Sequence, residues 1–368
     1  MFAEAYRGKT VFVTGHTGFK GSWLCLWLEQ LGARVVGFSL APPTEPSLFE
    51  QAGIAAGIDH HIGDVRDAAA LSAALAAARP DFVFHLAAQP LVIDSYAAPA
   101  ETFAINVTGS INLMEAVRSS GMRGAVVMVT TDKVYLNREW EHAYRENDPL
   151  GGHDPYSASK AAMEIAVASW RASFFDPAKT SDHGVRIATA RAGNVIGGGD
   201  WSANRLVPDL MRALAGNARP TLRNAGSLRP WQHVLEPLAG YLWLGARLAA
   251  PQGEHLAQGW NFGPQPTDVR SVGELADALL AEWGAPGWTD ATQADAVHEA
   301  GLLRLAIDKA VGRLGWQPVW TFAETATRTA GWYRGVTGDT LSARAACEAD
   351  LDAFIAAAQA QGLAYARA

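Results

Sequence analysis

The sequence predicts an α/β fold, a doubly wound, mostly parallel sheet with a smaller C-terminal substrate-binding lobe. Up to about residue 190, short apolar runs of strand length alternate with longer helix-like segments, the rhythm of βαβ units. Between the first strand and the first helix lies a turn with three glycines, Gly15, Gly18 and Gly21. Beyond about residue 194 the rhythm gives way to glycines, Pro208, Pro220 and short extended pieces, the mark of a second lobe.

The chain has 368 residues, enough for one large domain or two closely joined ones, and 49% of them are hydrophobic and spread along its length. A net charge of −7 without a run of Lys or Arg argues against binding a nucleic-acid backbone. No stretch approaches membrane-spanning length, and the start, MFAEAYRGKT, has neither a basic nor an apolar leader region. The expectation is a soluble, cytoplasmic protein that engages neither membrane nor nucleic acid. Of the two cysteines, Cys25 falls in the apolar first helix and reads as core rather than as half of a disulfide.

The first strand is the run Val11-Phe12-Val13 and the first helix begins near Trp23. A strand, a glycine turn and a helix start together aim backbone N–H groups at a phosphate. Gly15 permits the tight turn, Gly18 lets backbone approach a pyrophosphate, and Gly21 lets helix and strand pack closely, so a dinucleotide site is expected here. Arg34–Ser39 reads as the second strand. Its end, Ser39-Leu40, offers neither the acid that holds an adenosine ribose nor an Arg for a 2′-phosphate, which leaves NAD as the default cofactor.

Residues 58–63 form the third strand and end in Asp64-Val65-Arg66-Asp67. Asp64 is placed to meet an adenine, while Asp67 fits the N-cap of a helix over 68–78. His60 and His61 point to opposite faces of a strand, so no shared metal is expected. Residues 81–86 are the fourth strand, and the small residues Ala87 and Ala88 after it let a cofactor lie close. A long helix over 99–120 carries Asn106 and Asn112, at least one of which needs an internal partner.

Gly124–Val129 is the fifth strand, followed by Thr130-Thr131-Asp132-Lys133. Ionisable residues at the carboxyl end of a parallel strand lie where open α/β sheets place their chemistry. Asp154-Pro155 opens a helix to about residue 174 that carries Tyr156 and Lys160 one turn apart on one face. An ammonium beside a phenol is expected to lower the phenol's pKa and make Tyr156 usable as a base. Residues 185–190 are the sixth strand and 260–262 the last; helices are expected over 235–249, 272–283, 302–314 and 341–361. The expected division is 1–192 with about 228–263 for the sheet, about 193–227 with 264–340 for the lobe, and 341–368 as a C-terminal helix.

The combination Gly15-x-x-Gly18-Phe19-x-Gly21, Asp64-Val65, His85-Leu-Ala-Ala88, Thr130 to Asp132 and Tyr156-x-x-x-Lys160 resembles the extended short-chain dehydrogenase/reductase family, whose sheet is the Rossmann type. Within it, GHTGFKGSWL at 15–24, TTDKVY at 130–135, GGHDPYSASK at 151–160 and RAGNVIGGGDW at 191–201 are similar to the branch of nucleotide-sugar 4,6-dehydratases. Lys133, where related dehydratases carry Glu, points within that branch to CDP-glucose as substrate.

The resemblance implies that NAD is held by Gly15, Thr17, Gly18, Phe19 and Gly21, by Asp64 and Val65, and by Leu86, Ala87 and Ala88, with Thr130, Tyr156 and Lys160 at its nicotinamide end. It implies that Tyr156, aided by Lys160 and Thr131, takes the 4-hydroxyl proton, that Lys133 takes the C5 proton, and that Asp132 protonates the departing C6 hydroxyl. Substrate contacts are expected from Gln89, Asn106, Asn194, Arg205, Arg229 and Trp231, the arginines for the diphosphate. A homodimer or dimer of dimers through the 99–120 and 155–174 helices is also implied. The alternatives are a dehydratase or epimerase for another nucleotide sugar, and a nucleotide-sensing module without turnover.

Overall fold

The computed structural model describes residues 1–291 and 302–367, and at its centre is a seven-stranded sheet in which every ladder is parallel. The strands are β1 (Thr10–Thr14), β2 (Arg34–Ser39), β3 (Asp59–Ile62), β4 (Phe82–His85), β5 (Gly124–Val129), β6 (Val185–Ala192) and β7 (Gly259–Phe262). They lie in the order β7-β6-β5-β4-β1-β2-β3. The order reverses between β1 and β4, where Thr14 is level with His85, and this opens a crevice at the strands' carboxyl ends.

The helices used below are α1 (Phe19–Gln30), α2 (Ala68–Ala78), α3 (Gly109–Ser120), α4 (Pro155–Ser173), α5 (Leu206–Ala215), α6 (Leu235–Ala249), α7 (Val272–Trp283), α8 (Phe322–Thr337) and α9 (Ala343–Ala360). Alternation along each strand splits the core in two. Phe12, Val36, Val83 and Val126 face Leu71 of α2, Leu113 of α3 and Val167 of α4. Val11, Val13, Phe84 and Val127 join the other layer, with Trp27 of α1, Leu238 of α6 and Phe354 of α9. Local chemistry starts three helices where the sequence places them: Asp67 accepts from Ala69 and Ala70, Asp154 accepts from Ser157 ahead of Pro155, and Ser271 closes a capping box. A second capping box, at Thr321, opens α8, which is not among the expected helices.

Beyond β6 the chain leaves the sheet for α5, α7 and α8, with small ladders of Leu228–Pro230 against Val269–Ser271 and of Thr221–Leu222 against Thr289–Asp290. It returns for α6 and β7, and α9 packs back on α1, where Trp27 and Phe354 meet edge to face at 5.6 Å.

Two expected helices differ. The 99–120 helix widens at Ala104–Thr108 into a π turn, the place in the helix where Asn106 stands. Residues 302–307 are extended because Tyr144 exchanges backbone hydrogen bonds with Arg304 and Ala306, and the chain is helical only over 308–314.

Candidate active site

The glycine turn has the form a dinucleotide diphosphate needs. Gly15 holds φ +76°, and a Cβ there would lie 2.6 Å from the Ala87 backbone; one on Gly21 would lie 2.1 Å from the Gly15 carbonyl. Gly18 is the N-cap of α1 and supplies no side-chain cap, so the first-turn N–H groups of Phe19 and Lys20 are left for an anion. A Cβ on Gly18 would meet only the Gly15 carbonyl, at 3.4 Å, and would otherwise stand in the space a diphosphate fills.

At the adenosine end the Thr17 hydroxyl meets Ser39 Oγ and donates to the Leu40 carbonyl, each at 2.9 Å. Asp64 is occupied: Arg66 donates to it at 2.6 Å and holds its carboxyl below the usual range. Val65 is buried against Gly109 and its carbonyl accepts from Asn112 at 3.0 Å, which leaves its backbone N–H for a cofactor. Leu86, Ala87 and Ala88 are half-buried beside Gly15.

Behind the turn, the carboxyl ends of β1 and β4 are tied through His85, whose ring bonds Thr14 at 2.7 Å and Ser110 at 2.9 Å. Burial depresses His85 to about 3 and keeps its ring neutral. Ser110 passes the connection to the Asn106 carbonyl at 2.7 Å. The Asn106 side chain is wholly buried; it accepts from the Gln89 N–H and donates to the Gln89 carbonyl and to Ser159. With every polar atom used, Asn106 positions the Gln89 loop against α4 and does not face a substrate, contrary to expectation. The Gln89 amide is likewise engaged, donating to the Leu91 carbonyl and to Thr102 at 3.0 Å each.

At the end of β5, the Thr131 hydroxyl donates to Asp132 Oδ1 at 2.9 Å, and both residues act on the buried Tyr156 phenol. Asp132 is 4% exposed, and Gly193 accommodates it: a Cβ there would lie 2.7 Å from Asp132 Oδ2. Asp132 and Lys133 share a 3-10 turn, on which neighbouring side chains diverge by about 120°, and Lys133 is only half-buried. Thr130 does not present its hydroxyl to a cofactor; it donates to Glu164 at 2.6 Å.

The Tyr156–Lys160 pair differs from expectation in its electrostatics. Burial dominates the phenol and pushes it up to about 12, against the Thr131 hydrogen bond and Arg205, which lower it. Lys160 does not relieve this, because its ammonium donates to the Val129 carbonyl at 3.2 Å and to Met163 Sδ at 3.7 Å. Burial lowers Lys160 itself to about 8.

Among the expected substrate residues, Arg205 is half-buried, paired with Asp200 at 3.0 Å, and acts on Tyr156 and Lys20. Asn194 and Arg229 are half-buried at the start of the second lobe. Trp231 is buried with its indole N–H donated to the Arg270 carbonyl at 3.1 Å, so it packs the lobe rather than presenting its ring. A pocket lined by Gly193, Pro230, Gly263, Pro266, Val269 and Arg304 lies across Gly193 from Asp132.

Three groups of this centre escaped the sequence reading. Glu164 and Arg191 pair beneath Lys160, and Lys20 reaches into the field of Asp132, Arg205 and Lys160. The one available signal for Lys20 was a cation in the first turn of a helix, where the macrodipole disfavours it.

Comparison with known proteins follows the same lines. Residues 11–259 match the NAD dependent epimerase/dehydratase family. The chain is 48% identical over 329 residues to the CDP-glucose 4,6-dehydratase of Salmonella typhimurium, covering 89% of this chain and 91% of that one. It is 30% identical over 283 residues to a dTDP-glucose 4,6-dehydratase of Streptomyces antibioticus, covering 74% of this chain and 75% of the other. A crystal structure of dTDP-glucose 4,6-dehydratase from Streptomyces venezuelae shares the fold, with a TM-score of 0.74 at 24% identity over 89% of this chain and 98% of that one.

Proposed function

The chain belongs to the NAD dependent epimerase/dehydratase family, and from that membership we propose that it converts CDP-glucose to CDP-4-keto-6-deoxyglucose with loss of water. Its cofactor is NAD, which fits the uncapped start of α1 and the glycine turn. Gly15, Thr17, Gly18, Phe19 and Gly21 would hold it, together with the backbone of 64–65 and 86–88. When bound, NAD accepts the hydrogen and electron pair of C4 and returns them to C6.

The observation that carries a dehydratase reading is that Thr131, bonded to the buried Asp132 carboxyl at 2.9 Å, also acts on the Tyr156 phenol and so bridges the two. Tyr156 takes the proton of the 4-hydroxyl. Lys133 takes the proton from C5, made acidic by the new ketone, and Asp132 protonates the C6 hydroxyl so that it departs as water. Lys133 returns its proton to C5 as the hydrogen and electron pair reach C6. Tyr156 has by then gained a proton and Asp132 has lost one, and Thr131, which acts on both, is the path by which that balance is restored. Burial raises the phenol, and the positive nicotinamide, when bound, would oppose that rise and favour Tyr156 as a base. Arg205 and Arg229 hold the substrate diphosphate, with Asn194 beside them, and the pocket across Gly193 takes the nucleoside.

The domain division is proposed to follow chemistry, with the sheet, α6 and β7 holding NAD and the segments around α5, α7 and α8 holding the nucleotide sugar. The protein acts as a homodimer: Ile93, Tyr96, Phe103 and Ile165, 38–60% exposed, form an apolar face on the 92–103 segment and α4 that a second copy covers. A reaction on a nucleotide sugar with NAD fits the cytoplasm, and its deoxysugar product fits the supply of surface polysaccharides such as O-antigen.

The deciding experiment is a panel of CDP-, dTDP-, UDP- and GDP-glucose with added NAD, read by NMR. A C6 methyl signal from CDP-glucose supports the reading. A product that keeps its C6 hydroxyl makes the protein an epimerase.

A further inference from the structure

Besides Lys133, three cations surround the phenol–carboxyl centre, and two of them are already committed. Lys160 donates to the Val129 carbonyl, and Arg205 is paired with Asp200 at 3.0 Å. The third, Lys20, has no hydrogen-bond or ion-pair partner among the described residues; its ammonium lies 6.0 Å from the centre of the Tyr241 ring. Its field is set by Asp132, which attracts it, and by Arg205 and Lys160, which repel it. Tyr241, from α6, is itself fully buried with an unpartnered hydroxyl, and feels both Tyr156 and Asp132.

The first turn of α1 disfavours a cation, and burial with like-charged neighbours lowers the amine to about 8. A group shifted in this way among the charged groups of a site is a candidate functional group. The proposed reaction supplies the missing counter-charge. When C5 loses its proton, the electron pair left behind is shared with the C4 carbonyl, and negative charge builds on the C4 oxygen, the atom that Tyr156 and Thr131 serve.

We propose that Lys20 is a further catalytic residue of the dehydration, the cation that holds the negative charge of the C4 oxygen while C5 is deprotonated. The proton passes from C5 to the base, the C–H electron pair becomes the enolate, and Lys20 pairs with that oxygen without itself gaining or losing a proton. This rests on the dehydratase reading.

The test uses the product, CDP-4-keto-6-deoxyglucose, whose C5–H is also next to the ketone and exchanges without any redox step. The full-length protein with NAD is placed in D2O and C5 exchange is followed by NMR. Lys20→Met is expected to slow exchange about a hundredfold, the scale of one lost oxyanion partner, while Lys20→Arg, which keeps the charge, stays within about tenfold of wild type. A melting curve shows whether Lys20→Met folds, and removal of a half-buried cation without a partner among the described residues is expected to leave the midpoint unchanged or raised. Exchange by Lys20→Met within about threefold of wild type overturns the proposal. So does Lys20→Arg as slow as the methionine variant, since charge is then not the role. If wild type neither exchanges C5 nor makes this product from CDP-glucose, the dehydratase reading itself fails.

Discussion

Glu164 and Arg191 form a buried, two-pronged ion pair one turn beyond Lys160, with Arg191 Nε at 2.8 Å and Nη2 at 2.9 Å from the two carboxylate oxygens. Thr130 and Thr189 donate to the same carboxylate at 2.6 and 2.7 Å, so its oxygens are fully served and α4 is pinned to the ends of β5 and β6. Burial opposes the charge on Glu164, but Arg191 and the two hydroxyls outweigh it and hold the carboxyl below its usual value.

Replacing Glu164 by Gln leaves Arg191 buried without its counter-charge. A loss of about 3–5 kcal/mol is expected in urea unfolding at neutral pH. Because the folded-state pKa is depressed, this stabilisation is present above the unfolded carboxylate pKa and is lost as pH falls through the folded one. The gap between wild type and Glu164→Gln should therefore narrow in acid.

Asp132→Asn keeps the phenol and the Thr131 bridge but removes the acid. Reduced NAD should still accumulate on mixing with CDP-glucose, seen by absorbance, while formation of the C6 methyl product falls about 10²–10⁴-fold. Equal loss of both signals would assign Asp132 to the first step instead.

Tyr156→Phe should abolish the oxidation itself, lowering both signals by about 10²–10⁴-fold with little change in melting temperature. Thr131→Val cuts the hydroxyl path between phenol and acid, and is expected to slow turnover more than it slows a single round of C4 oxidation. Stopped-flow and steady-state rates on the same variant make the comparison.

Asp350 gives a pH dependence of opposite sign to Glu164. It is buried, its Oδ2 has no partner, and burial raises it to about 7 despite Arg328 at 3.5 Å. The folded state thus binds the proton more tightly than the unfolded one, so this group's stabilisation is full below about pH 4 and is lost as pH rises to about 7. Asp350→Asn should remove that loss, worth at most about 4 kcal/mol at 1.36 kcal/mol per unit. Melting curves of both proteins from acid to neutral pH check it.

Ile165, 60% exposed on α4, can be changed without touching the fold of one copy. Ile165→Glu is expected to give a monomer in sedimentation velocity, with far-UV circular dichroism unchanged.

Much of the architecture was legible because its causes are local. The glycine spacing at 15, 18 and 21, the Asp67 and Asp154 caps and the apolar strands act over a few residues, and the turn, the helix starts and the parallel sheet followed. The 302–307 segment was misread because its partner, Tyr144, is far away in sequence. The site divides in the same way. The spacing of Tyr156 and Lys160 and the adjacency of Thr131 and Asp132 belong to the sequence. That Lys160 turns to Val129, that Asn106 and Trp231 are sealed inside, and that Lys20 has no ion-pair partner among the described residues were decided by the tertiary structure. The reason is that desolvation and charge pairing depend on what surrounds a group in space, and chain neighbours supply only a small part of that surrounding.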